Sequence, residues 1–186
     1  MKKTDSMLLA TFFSTCFHSA TYPYIYKVIM SAVTENAIAV NQIVVCISVI
    51  LFSSLWNRFS DRLYPFFRLF CVLESIAGVC TSVYVTVHPE NVMIYYILDT
   101  LMFCLITRNI ICGGVRLRAV RYKSETEREH FDNSNNSVSA MATIIGSLIA
   151  LKLNLDFTRM IWIATFGNMI DNIFYIQIFR ETSNKI

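Results

Sequence analysis

Six apolar stretches separated by short polar connections fill nearly all of the chain, at about residues 7–30, 37–56, 67–87, 92–112, 138–155 and 159–179. Each is close to the length of about 20 residues that a helix needs to cross about 30 Å of hydrocarbon, where backbone amides must bond within their own segment. The pattern predicts an all-α polytopic membrane protein, a six-helix bundle forming one domain over 1–186. The fifth stretch is the least apolar, because Lys152, Asn154 and Asp156 crowd its end. The longest connection runs from Gly113 to Val138 and carries most of the soluble charge. Within it Ser124 and Glu127 have capping-box spacing, which predicts a short surface helix through His130, and the run from Asp132 to Ser137 is expected to cap the fifth span.

Composition points the same way: 55% hydrophobic and 13% aromatic residues, with a mean hydropathy of +0.50, exceed the usage of an average soluble domain. Orientation follows from the basic residues. Thirteen of the sixteen (Lys2, Lys3, Arg58, Arg62, Arg68, Arg108, Arg116, Arg118, Arg121, Lys123, Arg128, Arg180 and Lys185) fall at the chain ends or in the second and fourth connections. Only Lys27, Lys152 and Arg159 fall on the other side. Basic residues are retained on the cytoplasmic face, so both termini are expected inside, in a plasma (cell inner) membrane. The net charge of +3 is then accounted for by topology and anionic lipid, and implies no nucleic acid partner. The apolar run after Lys2 and Lys3 is too long for a signal-peptide core and lacks a small-x-small cleavage site, so the first span is expected to stay. Cys16, Cys46, Cys71, Cys80, Cys104 and Cys112 all fall inside spans without metal-ligand spacing, and read as packing residues.

Ionisable residues inside spans carry the candidate chemistry. Each costs about 2.5–3.5 kcal/mol at a helix centre, and so belongs in a bundle interior or a hydrated cavity. They are His18, Glu74, Asp99, Arg108 and Asp171. Glu74 and Arg108 match in depth, about 10 and 6 Å from the inner ends of their spans, which suits either a structural ion pair or a substrate or proton role. Asp99 has no basic residue at matching depth and is the better candidate for a functional carboxyl. Polar faces recur beside them: Thr11, Thr15, His18 and Tyr22 on the first span; Asn168, Asp171, Asn172 and Tyr175 on the sixth; Asn41 and Gln42 on the second. Three such faces favour a hydrated cavity over interhelical bonds alone. Ser139, Thr143, Gly146, Ser147 and Ala150 give the fifth span a small-residue face for close helix contact.

The second connection, Asn57-Arg58-Phe59-Ser60-Asp61-Arg62-Leu63-Tyr64-Pro65-Phe66-Phe67-Arg68, resembles the signature between helices two and three of major facilitator superfamily transporters. That signature reads roughly G-x-x-x-D-R-x-G-R-R; Asp61 and Arg62 match it, Asn57 and Tyr64 replace its glycines, and Arg68 stands for its basic pair. Arg108 before Gly113 and Gly114 is loosely similar to the family's fourth-helix R-x-x-x-G pattern, one residue out of register. The six-span plan resembles one half of such a transporter. The resemblance implies a half-size transporter that moves a small solute by alternating access as a parallel homodimer, with Asp61, Arg62 and Arg68 as a gate motif. Asp61 would meet its partner in the second copy, and in a working half-transporter it should accept from helix N-terminal amides or pair with Arg62 or Arg116 at a cytoplasmic gate. His18, Tyr22, Glu74, Asp99, Arg108, Asn168 and Asp171 would then form the substrate or proton pathway, with proton coupling through Glu74, Asp99 or Asp171. The half length and the missing glycines suit an alternative, a non-transporting membrane subunit, immunity factor or regulator of another membrane protein. No H-E-x-x-H, G-x-S-x-G or paired-aspartate motif is present, so an enzyme is not expected, and no cofactor or metal is implied.

Overall fold

A computed structural model describes residues 6–152 and 155–183. Lys2, Lys3 and Lys185, which contribute to the expected orientation, and Asn154, at the end of the fifth apolar stretch, lie outside the described residues. The fold is all-α: α1 (Ser6–Ala32), α2 (Glu35–Leu63), α3 (Phe67–Val87), α4 (Val92–Met102), α5 (Arg108–Arg121), α6 (Glu125–Lys152) and α7 (Phe157–Ser183), with no strand among the described residues. A π-helical turn, Phe103–Thr107, joins α4 to α5 as one rod, and a 3-10 turn, Tyr64–Phe66, joins α2 to α3.

Local chemistry sets these boundaries. The Thr34 side chain caps α2 by accepting from the Ala37 amide at 3.4 Å, and Asp156 caps α7 by accepting from the Arg159 amide at 2.8 Å. The helical run of α3 ends just before Pro89, whose ring disfavours helical geometry in the preceding residue. The predicted capping box is formed reciprocally: the Glu127 amide donates to Ser124 Oγ and the Ser124 amide to Glu127 Oε2, each at 3.2 Å. The helix it starts, however, does not stop at His130 but continues to Lys152, and the fourth connection shrinks to a few residues. Asp132 to Ser137 therefore sit inside α6 and cap nothing. Once nucleated, a helix extends at little cost, and these side chains find other partners: Asn135 Oδ1 accepts from Thr11 Oγ1 at 2.6 Å, and Ser137 Oγ donates to the Asn133 carbonyl at 3.1 Å.

Contacts between helices fix their directions. Asn41, Ser53, Trp56 and Asp61 of α2 meet Tyr96, Arg108, Asn109 and Arg116 in ascending order. Glu74 of α3 meets Thr107, and Phe67 packs over Gly113, in descending order. The chain thus reverses between α2 and α3, around the non-helical Phe59 (φ −125, ψ 23) and the 3-10 turn. Parallel α1–α6 contacts (Thr11 to Asn135, Tyr24 to Ala150) and antiparallel α3–α7 contacts (Glu74 to Asn172, Ser82 to Thr165) complete an up-down bundle, of six rods among the described residues. Arg62, Arg116, Arg121 and Arg180 gather at one end of it.

The outer surface is strongly apolar, and polar side chains are buried among the apolar core. Glu35–Val87 and Val92–Arg121 are each apolar and long enough to cross a membrane, yet only 6% of the most apolar part of the first is buried. Its Ile43, Ile47, Ile50, Leu51 and Leu55 point outward, whereas Ser48 and Trp56 are the buried residues of α2. Buried residues elsewhere include Thr21, Glu74, Thr81, Ser82, Asn109, Thr165 and Asn172. Two apolar clusters close the interior at its ends. One holds Ile25, Ile29, Val85, Tyr95 and Met160; the other, at the basic end, holds Met7, Phe67, Cys71, Leu117 and Ile178.

Candidate functional site

Between these clusters lies a chamber of about 310 Å³. On α1, α3, the α4–α5 rod and α7, the residues that line it fall in sequence between members of one cluster and members of the other. It is thus a polar layer at mid-depth. Six of the seven residues expected to form a pathway line it: His18, Tyr22, Glu74, Asp99, Asn168 and Asp171. Ser14, Thr107 and Tyr175 complete the polar wall. Ser14, His18 and Tyr22 recur every four residues and form the true stripe of α1. Of the expected stripe, Thr11 instead faces α6, and Thr15 is not in the chamber wall. Asn41 is also elsewhere, donating to the Tyr96 hydroxyl at 2.6 Å, and Gln42 is exposed.

Glu74 does not pair with Arg108. It is buried and accepts from Thr107 Oγ1 and, at 2.8 Å, from Asn172 Nδ2. Arg108 turns the other way, to Ser53 Oγ of α2 at 3.1 Å. Equal depth sets the height of two residues on their helices and not their azimuth, and the π turn that ends at Thr107 shifts the phase of all that follows. The remaining carboxyls differ from Glu74. Ser14 hydrogen-bonds Asp171, whereas the side chain of Asp99 has no hydrogen-bond partner among the described residues. Glu74 acts electrostatically on both. His18 stacks on Tyr22 with ring centroids 3.8 Å apart. Among the described residues, no Lys or Arg lines the chamber. The three carboxyls do not converge as metal ligands, for no such cluster exists among the described residues. Carboxyl groups and aromatic side chains that line one cavity, with no Lys or Arg among the described lining residues, form an environment complementary to an organic cation.

At the basic end, Asp61 finds its partner within the chain: Arg116 Nη2 donates to its Oδ1 at 2.7 Å. That pair belongs to a fan from α5, in which Arg118 reaches Asp132 of α6 at 3.2 Å and Arg121 reaches Glu181 of α7 at 3.6 Å. Arg62 is exposed, and Arg68 lies 5.3 Å from the centre of the Phe179 ring. Tyr64, beside this fan, has a buried hydroxyl without a hydrogen-bond partner, and that burial pushes its pKa above the ordinary tyrosine value. All six cysteines are free; Cys71 and Cys104 are buried, while Cys46 and Cys80 are exposed on the outside of the bundle and do not pack inside it. No protein-family profile, curated protein or solved structure matches the chain.

Proposed function

We propose that the chain is an integral membrane protein of six spans, with both ends at the cytoplasmic side, that moves a small organic cation through the acidic chamber by alternating access. It would act as a half-size unit of the major facilitator plan that its second connection resembles. A second copy in the same orientation would stand where such a transporter has its other half. The observation that carries this reading is the polar chamber at mid-depth, enclosed by two apolar clusters inside a bundle whose outer surface is apolar. Water-soluble folds bury their apolar side chains; this arrangement suits hydrocarbon outside and a hydrated, charged passenger within. At about 310 Å³ the chamber is at the lower end of ligand cavities, which span about 300–1,000 Å³.

Asp99 is the proposed counter-charge, because its carboxyl lines the chamber without a partner of its own, and Tyr22 and Tyr175 supply ring faces for the cation. Phenyltrimethylammonium is a suitable probe, since its charge is permanent. In proteoliposomes it should bind and be taken up, benzoate and benzyl alcohol should not compete, and Asp99→Asn should weaken binding about tenfold or more, or about 1.4 kcal/mol. Equal binding of the cation by Asp99→Asn and the unaltered protein would refute the assignment. The Arg116–Asp61 pair suits both a cytoplasmic gate contact and a second reading, a non-transporting membrane subunit, since it ties α2 to α5 within one copy. Binding of the cation without any uptake, under an imposed gradient, would select that alternative.

A further inference from the structure

A second opening, a cleft of about 410 Å³, lies between α2 and α5 toward the basic end of the bundle. Ile111 forms a wall common to this cleft and the chamber. The floor is Trp56, which is buried and donates from its indole nitrogen to Asn109 Oδ1 at 2.9 Å. Ser53, Ser60 and Arg108 supply polar lining, and Ile111 and Val115, both exposed on the outside of the bundle, supply an apolar lip.

Arg108 is the unusual member. Arg116, Arg118 and Arg121, further along the same helix, each hold a carboxylate. Arg108 holds none among the described residues. Its Nη2 donates to Ser53 Oγ at 3.1 Å, while its Nε is buried and has no hydrogen-bond partner. A guanidinium remains charged at any physiological pH, and in a bilayer it requires a counter-charge. It lies about 12 Å along the rod from Arg116, near enough to the basic end for a long side chain and a locally drawn-in headgroup to meet. The Ile111 and Val115 lip of the cleft is exposed on the outer surface of the bundle, where the lipid would be.

We infer that this cleft binds the phosphate of an anionic phospholipid from the cytoplasmic leaflet, with the phosphate oxygens on the Arg108 guanidinium and Ser53, and an acyl chain against Ile111 and Val115. The fork of the guanidinium presents two parallel donors to an oxyanion, and basic pockets between membrane helices on this side suit such headgroups. The inference rests on the membrane part of the proposed function and is independent of transport.

Native mass spectrometry of the full chain in detergent tests it, with phosphatidylglycerol and phosphatidylcholine offered in turn. The unaltered protein should retain phosphatidylglycerol in preference, Arg108→Gln should lose that preference about tenfold, and Arg180→Gln should keep it. Inorganic phosphate at millimolar concentration should not displace the lipid; if it does, the site takes a free anion and the lipid assignment fails. Equal retention of the two lipids by the unaltered protein would overturn the site while leaving the membrane reading intact. A chain that binds neither lipid and is absent from the membrane fraction would instead overturn that reading. If Arg108→Gln does not fold, thermal melting of the unaltered protein decides: phosphatidylglycerol must raise the midpoint more than phosphatidylcholine does.

Discussion

Gly146→Ala adds one methyl group where α6 crosses α1 at closest approach. A Cβ at that position would stand 2.3 Å from the carbonyl oxygen of Cys16 and 3.1 Å from its carbon, both backbone atoms, and 3.0 Å from Ser19 Cβ. Carbon and oxygen normally approach to about 3.3 Å, so the two helices must separate by about 1 Å. No rotamer change relieves a clash with backbone. Overpacking of this kind costs about 1–3 kcal/mol, and the better helix propensity of alanine returns about 1. Separation also strains the Thr11–Asn135 and Tyr24–Ala150 hydrogen bonds, at 2.6 and 2.9 Å, each worth about 1 kcal/mol. The expected net loss is about 2 kcal/mol. Gly78→Ala is the control, since its Cβ would meet Thr165 side-chain atoms and no backbone, at 3.3 and 3.7 Å, a contact relieved by a shift of a few tenths of an ångström. Reversible unfolding in mixed micelles, followed by the fluorescence of Trp56 and Trp162, should show Gly146→Ala destabilised and Gly78→Ala within about 0.5 kcal/mol of the unaltered protein. A Gly146→Ala protein as stable as the parent, or less damaged than Gly78→Ala, would refute the close-contact argument.

Three other outcomes are expected. Glu74→Gln and Arg108→Gln should lose stability additively, within about 0.5 kcal/mol, because they share no partner, whereas Glu74→Gln with Asn172→Ala should show a coupling of at least that size in the same unfolding assay. Membrane-impermeant thiol reagents applied from outside should label a cysteine placed at Glu90 and spare one at Lys123; the reverse would overturn the orientation. Asp61→Asn removes an exposed ion pair and should change stability by at most about 1 kcal/mol. If the pair is a gate contact, the same variant should raise the accessibility of a cysteine at Ser60 from the cytoplasmic side, and unchanged accessibility would leave it a surface anchor.

Most of the bundle was legible in the sequence, because the period and length of the apolar runs register directly on helices. The centres of all six rods fall within the six apolar stretches. Boundaries were legible where a side chain has one available use, as at the Ser124 capping box, and failed where several uses compete, as in the Asn-Ser run inside α6. The small-residue face shows the same limit. Gly146 and Ala150 do pack inward, joined by Ala142, but Thr143 and Ser147 point outward. Residue size alone does not fix the phase of a helix to within one position. The chamber was found through its charged members, each expensive in hydrocarbon and so individually informative. Ser14 and Thr107 were missed because a lone hydroxyl can bond back to its own helix and therefore signals little. The π turn had no sequence signature, and it helped to misplace Arg108.

Two carboxyls of the chamber, buried Glu74 and half-buried Asp99, differ in their partners. Glu74 accepts from side chains of two different helices, Thr107 at the π turn and Asn172 of α7, so its carboxylate joins three rods and its acceptor sites are used by the fold itself. A residue whose only task was to hold the bundle would be placed in this way. Asp99 sits four residues before the π turn, where its backbone carbonyl accepts from the Phe103 amide, and its side chain has no such attachment. An unattached acid in this layer weakens the fold, since solvent-poor surroundings disfavour a charge without a partner. Leucine or methionine would fill the same space without that cost. A group that weakens the resting fold, yet lines a cavity that holds Tyr22 and Tyr175 and, among the described residues, no Lys or Arg, fits the proposed state in which a cation is present. Asp99 is therefore the residue on which the cation hypothesis depends, while Glu74 holds together the walls that present it.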